Sequence, residues 1–400
     1  MQLSRQQDTA LQAVSRWLED KSAPPVFRLF GYAGTGKTTL AKHFAQDVEG
    51  RVVFCAFTGK AAYVLRQKGC PEAGTIHSLI YQPKDKSAQH LRELVAERAK
   101  FPTEFKGEPP KEVRELDRKI KEERTNLARP AFSLNLDSAI KSCKLVVVDE
   151  CSMVDEYMAN DLLSFGVKIL VLGDPAQLPP VRGTGFFTEA EPDFMLTEIH
   201  RQARDNPIIQ LATQIRQRQL PDYGTYGESR VRRDMNAELV LAANQLLVGR
   251  NETRRKFNLR TRQLLGRPGV DPVVGDRLVC LRNDGDLGLL NGELWNIEDV
   301  GDRDQDRITL ALRSEDGERS AGVEAHLHYF QGRDLPYWER RDAQEFDYGY
   351  ALTCHKSQGS QWNYVIVYDE SAAFRQDRWR WLYTAVTRAA VRVDLVVQGG

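Results

Sequence analysis

Five residues near the start of the chain, Gly31, Gly34, Gly36, Lys37 and Thr38, fit the spacing G-x-x-x-x-G-K-[ST] completely. Glycines at these positions let the backbone turn tightly and aim N–H groups at phosphate oxygens. Lys37 is placed to reach the β- and γ-phosphates, and the Thr38 hydroxyl to ligate Mg²⁺. The pattern reads as a cradle for ATP with its metal ion.

Such a cradle needs a second oxygen ligand for the metal. "KLVVVDECSM" supplies Asp149, which would hold Mg²⁺ through water, and then Glu150, which could orient and deprotonate an attacking water. Two adjacent acids at a loop start are otherwise a solvated turn. The phosphate cradle upstream favours the catalytic reading. In "KILVLGDPAQLPPV", Gln177 follows Gly173 and Asp174. It reads either as a hydrogen-bond partner of the γ-phosphate or attacking water, or as a polar turn residue beside two prolines.

The elements that must hold these groups are visible as apolar runs. "VFRLF" reads as a strand and "TTLAKHFAQ" as a helix, on either side of the cradle. Leu145 to Val148 and Ile169 to Leu172 are continuous apolar runs, as in strands buried on both faces. Their polar residues then fall at the strands' C-terminal ends, where open α/β sheets bind ligands. Four hundred residues allow about two to four domains. The formal net charge is zero, so any basic track must be local. Six scattered cysteines form no C-x-x-C pair, which argues against a zinc site or disulfide framework. "MQLSRQQDTA" has no apolar core of a signal peptide, and no run reaches a bilayer-spanning length. The expected setting is the cytoplasm, with no membrane partner.

The order of motifs resembles superfamily 1B helicases, the RecD-like and Dda-like group, over most of the chain. "LSRQQDTAL" resembles the Q motif, "GYAGTGKTT" motif I, "AFTGKAA" motif Ia and "GTIHSLI" motif Ib. "VVVDECSM", "GDPAQLPPV" and "LTEIHRQA" resemble motifs II, III and IV, and "YALTCHKSQGSQW" and "YTAVTRA" motifs V and VI. The resemblance implies an α/β fold of two RecA-like P-loop domains with ATP between them. It implies nucleotide contacts at Gln7, Gly31, Ala33, Gly34, Thr35, Gly36, Lys37, Thr38, Thr39 and Gly359, and arginine fingers at Arg201 and Arg388. Two departures stand out. His200 replaces an aromatic residue before the motif IV arginine, and Gln361 replaces a glutamate common after "QGS".

Three clusters pair hydroxyls with basic or imidazole groups near strand ends: Thr58 with Lys60, Thr75 with His77, and Thr353 with His355 and Lys356. Each is open to a plain loop role; the resemblance puts all three along a DNA track on the face opposite ATP. The first domain is expected over 1–190, interrupted by a helical hairpin or pin at 85–130. The second is expected over 191–400, interrupted by an SH3-like β-barrel at 266–345. The first insertion carries 12 Lys/Arg against 10 Asp/Glu, and its breaker-rich tip "FPTEFKGEPP" holds Phe101 and Phe105. These phenylalanines either pack between the two helices or present a wedge to duplex DNA.

The expected activity is ATP-dependent translocation 5′ to 3′ on single-stranded DNA with unwinding of tailed or forked duplexes, by a monomer. An RNA or RNA–DNA helicase would share every ATPase residue. An ATP-gated single-strand clamp without unwinding is the third reading; intact Glu150, Gln177 and Arg388 weigh against it.

Overall fold

The structure is a computed structural model that describes residues 3–46, 48–83, 89–102, 105, 107–127, 132–180, 183–198, 206–335, 340 and 343–397. The apolar runs form β1 (Val26–Gly31), β2 (Val52–Ala56), β3 (Gly74–Thr75), β4 (Tyr81–Pro83), β5 (Phe132–Leu134), β6 (Leu145–Asp149), β7 (Lys168–Gly173) and β8 (Phe194–Leu196). Six of them make one parallel sheet in the order β3-β2-β6-β7-β1-β8. Successive side chains of a strand point to opposite faces. Leu145 and Val147 accordingly enter one core, and Val146 and Val148 the other. That is why β6 has no polar alternation.

Helices α1 (Arg5–Glu19), α2 (Lys37–Gln46), α3 (Gly59–Gln67) and α4 (Ile76–Ile80) belong to this sheet. Ala10, Val14 and Trp17 of α1 recur at helical spacing and are buried. β4 and β5 pair antiparallel, Tyr81 opposite Leu134, as a stem for α5 (Gln89–Arg98) and α6 (Lys111–Leu127). Leu94, Leu116 and Ile120 pack between these two helices, with Phe101 against them. Helix α7 (Glu156–Leu163) follows β6.

A second six-stranded sheet uses β9 (Gly224–Tyr226), β10 (Ser229–Arg232), β11 (Gln245–Val248), β17 (Ala351–Thr353), β18 (Trp362–Tyr368) and β19 (Ala389–Val396), ordered β17-β11-β18-β19-β10-β9. It is parallel except for β9 against β10. Between β11 and β17 the chain builds a five-stranded antiparallel sheet from β12 (Arg277–Cys280), β13 (Leu294–Arg303), β14 (Arg307–Ser314), β15 (Ser320–His326) and β16 (Phe346–Tyr348). Its core holds Trp295, Leu310, Leu312 and Phe346. Helices α8 (Pro207–Arg216), α9 (Asn251–Leu264) and α10 (Arg378–Val386) complete the elements used below. The third sheet is tied to α9 by a buried ion pair, Arg262 to Asp276 at 2.9 Å, both fully enclosed. Among the described residues no helix is long and apolar enough to cross a membrane.

Candidate nucleotide and nucleic-acid site

The cradle joins β1 to α2. Gly34 and Gly36 have φ of 82° and 80°, a region side chains disfavour. A Cβ on Gly31 would stand 2.6 Å from Thr35 Oγ1 and 2.8 Å from Leu196 Cβ. The Lys37 ammonium donates to the carbonyls of Gly31 (2.5 Å) and Tyr32 (3.1 Å). Thr38 and Thr39 open α2 beside it. Gln7 is buried; its amide donates to Thr35 O at 3.1 Å and its Oε1 accepts Ser4 N–H at 3.0 Å in the α1 capping box. As placed, both ends of this side chain serve α1 and the cradle.

At the end of β6, Asp149 is buried and accepts Glu150 N–H at 2.9 Å. Burial pushes its carboxyl up to about 6, reinforced by the Glu150 charge and opposed by the Thr38 hydroxyl and the Lys37 charge. Glu150 itself is left-handed, with φ 53° and ψ 44°. For a residue with a Cβ this conformation costs about 1–2 kcal/mol, and such strain is typical of functional positions.

At the end of β7, Asp174 is fully buried and accepts the Tyr383 hydroxyl at 2.7 Å and Ala176 N–H at 3.0 Å. Burial raises its pKa, and the Lys37 charge opposes that. Tyr383 comes from α10, and its oxygen also accepts Ala33 N–H at 2.8 Å. Arg216 at the end of α8 lies 3.6 Å above the ring of Tyr32. The cradle is thus gripped twice from the second sheet's helices. Sequence reading missed Tyr383 and Arg216, because neither spacing nor residue type announces a partner so distant in the chain.

Gln177 is buried, and its Oε1 has no hydrogen-bond partner among the described residues. The next residue, Leu178, donates its N–H to Thr384 Oγ1 at 2.9 Å and accepts from Gln358 Nε2 at 3.1 Å. Arg388 is buried at the end of α10. Its guanidinium donates to Thr384 O (3.1 Å), Ser360 O (3.3 Å) and Thr387 Oγ1 (3.4 Å). Arg201 and His200 lie outside the described residues. Gln361 donates to Ala389 O at 3.4 Å.

These groups fit a magnesium nucleotide. The Thr38 hydroxyl beside the Asp149 carboxyl is an all-oxygen donor set of the kind Mg²⁺ takes. The unpartnered Gln177 oxygen and the glycine turn have acceptor and donor capacity left for a ligand.

The strand-facing candidates gather elsewhere. Thr58, Lys60, His355 and Lys356 line one groove of about 170 Å³, together with Asn283 and Asn291 of the third sheet's connections. Thr58 caps α3 by accepting Ala61 N–H at 3.1 Å, which leaves its proton for an outside acceptor. Gly359 (φ 77°) fits against it, since a Cβ there would meet Thr58 Oγ1 at 2.8 Å. Thr353 Oγ1 accepts Lys356 N–H at 3.4 Å. Lys356 reaches the Asn291 side-chain oxygen, and burial lowers its pKa. Burial also lowers that of His355, whose ring lies 5.7 Å from Phe374. Lys60 pairs with Glu315 at 3.7 Å; on the same acidic turn Glu318 accepts the Tyr63 hydroxyl at 2.8 Å. Thr75 caps α4, with His77 in that helix, away from this groove. Phe101 packs between α5 and α6, whereas Phe105 lies 6.0 Å from the Arg98 guanidinium.

An AAA domain family matches residues 2–232, and a UvrD-like helicase C-terminal domain family matches residues 348–396. The chain belongs to this AAA domain family, and with the UvrD-like C-terminal match this supports a superfamily 1B helicase. The ATP-dependent RecD2 DNA helicase of Deinococcus radiodurans is 26% identical over 91% of this chain and 46% of its own length. A probable conjugal transfer protein TraA of Sinorhizobium fredii is 25% identical over 100% of the chain and 32% of its own. The chain thus spans less than half the length of these relatives. Among solved structures, Pif1 helicases at forked duplex DNA superpose with a TM-score of 0.58 at 19% identity, covering 98% of this chain and 92% of that one. Bacteroides Pif1 with ADP-AlF3 and single-stranded DNA gives 0.55 at 18%, with the same coverage. These likenesses speak to the fold.

Proposed function

We propose that this chain hydrolyses ATP between two RecA-like domains, 1–190 and 191–400, and uses the cycle to move 5′ to 3′ along single-stranded DNA and unwind duplex. The observation that carries the reading is the turn Gln177–Leu178. Gln177 offers an unsatisfied oxygen, and Leu178 is clamped by Thr384 of α10 and by Gln358, which also lines the strand groove. One turn therefore touches both the nucleotide side and the strand side.

In this reading Lys37 and the loop amides hold the phosphates, and Thr38 and Asp149 would hold Mg²⁺, which neutralises phosphate charge when bound. Glu150 orients the attacking water and takes its proton. Gln177 positions that water or the γ-phosphate. Arg388 and Arg201 swing onto the phosphoryl oxygens, where charge spreads in the transition state. Arg388 rests on three neutral acceptors, so moving it costs neutral hydrogen bonds. Thr58, Lys60, Thr353, His355 and Lys356 hold the strand's backbone. The helix pair within 85–130 serves as the strand-separating pin, with Phe105 as its wedge. The five-stranded sheet is the SH3-like insertion. All six cysteines are unpaired, which suits a reducing cytoplasm.

The test measures ATP turnover with and without single-stranded DNA, and unwinding of 5′-tailed, 3′-tailed and RNA-containing duplexes. DNA-stimulated turnover with unwinding from the 5′ tail is expected. Turnover indifferent to single strands would remove the motor reading; unwinding only from a 3′ tail would reverse its direction.

A further inference from the structure

Three rings stand together at the foot of the helix pair. The His77 and Phe132 centroids are 4.3 Å apart at 90°, His77 and Tyr81 4.9 Å, and Tyr81 and Phe132 6.2 Å. The Tyr81 hydroxyl donates to Asp161 Oδ2 of α7 at 2.5 Å, which fixes its ring against the first domain. Burial holds His77 below the usual imidazole range, so at neutral pH it presents an uncharged ring. Phe132 is different: 42% of its surface is open to solvent. Two partly buried rings, one of them tied to α7, therefore support a third that faces water.

The position of this cluster is set by the sheet. Thr75 ends β3, the edge strand, and its neighbour β2 leads into Thr58 of the groove. Adjacent strands lie about 4.8 Å apart. His77 lies two residues after Thr75, so the rings sit at the β3 edge of this sheet, where the β4–β5 stem begins. A single strand that left Thr58 toward the helix pair would cross this edge.

We propose that Phe132, backed by His77 and Tyr81, is a stacking platform for an unpaired base of the single strand held in the groove. The proposal rests on the strand-binding reading above and adds a site to it. A flat, uncharged, half-exposed ring suits a base, because every base offers a π-face whatever its sequence. It also divides the labour. Lys60 and Lys356 give contacts that salt weakens, whereas stacking on Phe132 gives affinity that salt leaves largely in place. His77 was singled out by its motif; Phe132 and Tyr81 were not, since nothing in "FSL" or "IYQP" separates a platform from a core ring.

The test is binding of a short fluorescent single-stranded DNA to the full chain at low and high salt, for wild type, Phe132→Ala, Phe132→Trp and Lys356→Ala. Phe132→Ala is expected to weaken binding roughly tenfold with little change in the salt slope. Phe132→Trp should restore it, and Lys356→Ala should lower the slope. Walking an abasic position along the strand should find a place where wild type and Phe132→Ala bind equally. A Phe132→Ala protein that binds like wild type, while Lys356→Ala does not, overturns the platform and leaves the strand reading standing. A wild-type protein that binds no single strand overturns both.

Discussion

Tyr383 and Asp174 share a 2.7 Å hydrogen bond across 209 residues of chain, and the same phenol oxygen accepts the Ala33 N–H at 2.8 Å. Burial keeps the phenol protonated, so it always has a proton for Asp174. One hydroxyl thus joins the cradle, the turn after β7 and α10. Tyr383→Phe should cost about 2 kcal/mol, because it strips a buried carboxylate of a donor. Thermal unfolding would register the loss. ATP turnover should fall more with single-stranded DNA present than without it; an equal fall in both conditions would reduce the bond to a structural tie.

Hydrolysis should depend on three residues in distinguishable ways. Lys37→Ala should weaken nucleotide binding. Glu150→Gln should bind ATP and turn over poorly. Arg388→Ala should lose about 10³-fold in turnover, as arginine fingers do. Nucleotide binding and steady-state rates on each variant separate these outcomes.

The left-handed backbone at Glu150 predicts an asymmetry. Glu150→Gly removes a Cβ from a conformation that glycine adopts freely, so it should unfold no lower than wild type. Turnover should nevertheless collapse. A clear loss of stability would show that the carboxylate, rather than the conformation, holds the turn.

Asp149 gives a pH signature in the absence of nucleotide. Its folded pKa, about 6, lies above the ordinary aspartate value of 3.8. The folded state therefore binds the proton more tightly than the unfolded state, and the charged group destabilises the fold. That penalty is complete above about pH 6 and fades as pH falls toward 3.8. Asp149→Asn should raise the melting temperature by several degrees at pH 8 and by progressively less below pH 6. Magnesium with ATP should erase the variant's advantage by stabilising wild type alone.

The two phenylalanines of the helix pair should part company. Phe101→Ala removes a ring packed on Leu94, Leu116 and Ile120 and should cost about 3 kcal/mol. Phe105→Ala should leave melting nearly unchanged and slow unwinding at constant DNA-stimulated turnover. Unwinding at the wild-type rate would retire Phe105 as the wedge.

What could be read in advance followed from local pattern. The run Leu145–Val148 announces a strand buried on both faces, and Gly31 to Thr38 announces a phosphate turn, because neighbours in sequence carry the whole signal. The left-handed Glu150 could not be read, since glutamate ordinarily avoids that region. Nor could the grip of Arg216 on Tyr32 or of Tyr383 on Asp174, which depends on how two sheets meet. Phe101 and Phe105 looked alike in a breaker-rich segment; only packing against α5 and α6 separates them. Gln7 carried a motif, yet its amide and carbonyl are both engaged by the protein itself.

The pairing of Lys60 with Glu315 carries a consequence for how the strand is measured as well as how it is held. A lysine that meets a phosphate normally sheds mobile ions from the nucleic acid, and each such contact steepens the fall of affinity with salt. Lys60 already has a counterion, and it is covalently tethered. In the proposed strand-binding reading, a phosphate that takes over Lys60 leaves Glu315 with its second partner, Arg277, as a carboxylate tethered beside Lys60. The chain therefore carries its own competitor, present at the same local concentration in any buffer. Glu315→Gln would remove that competitor, and single strands should then bind more tightly at every salt concentration.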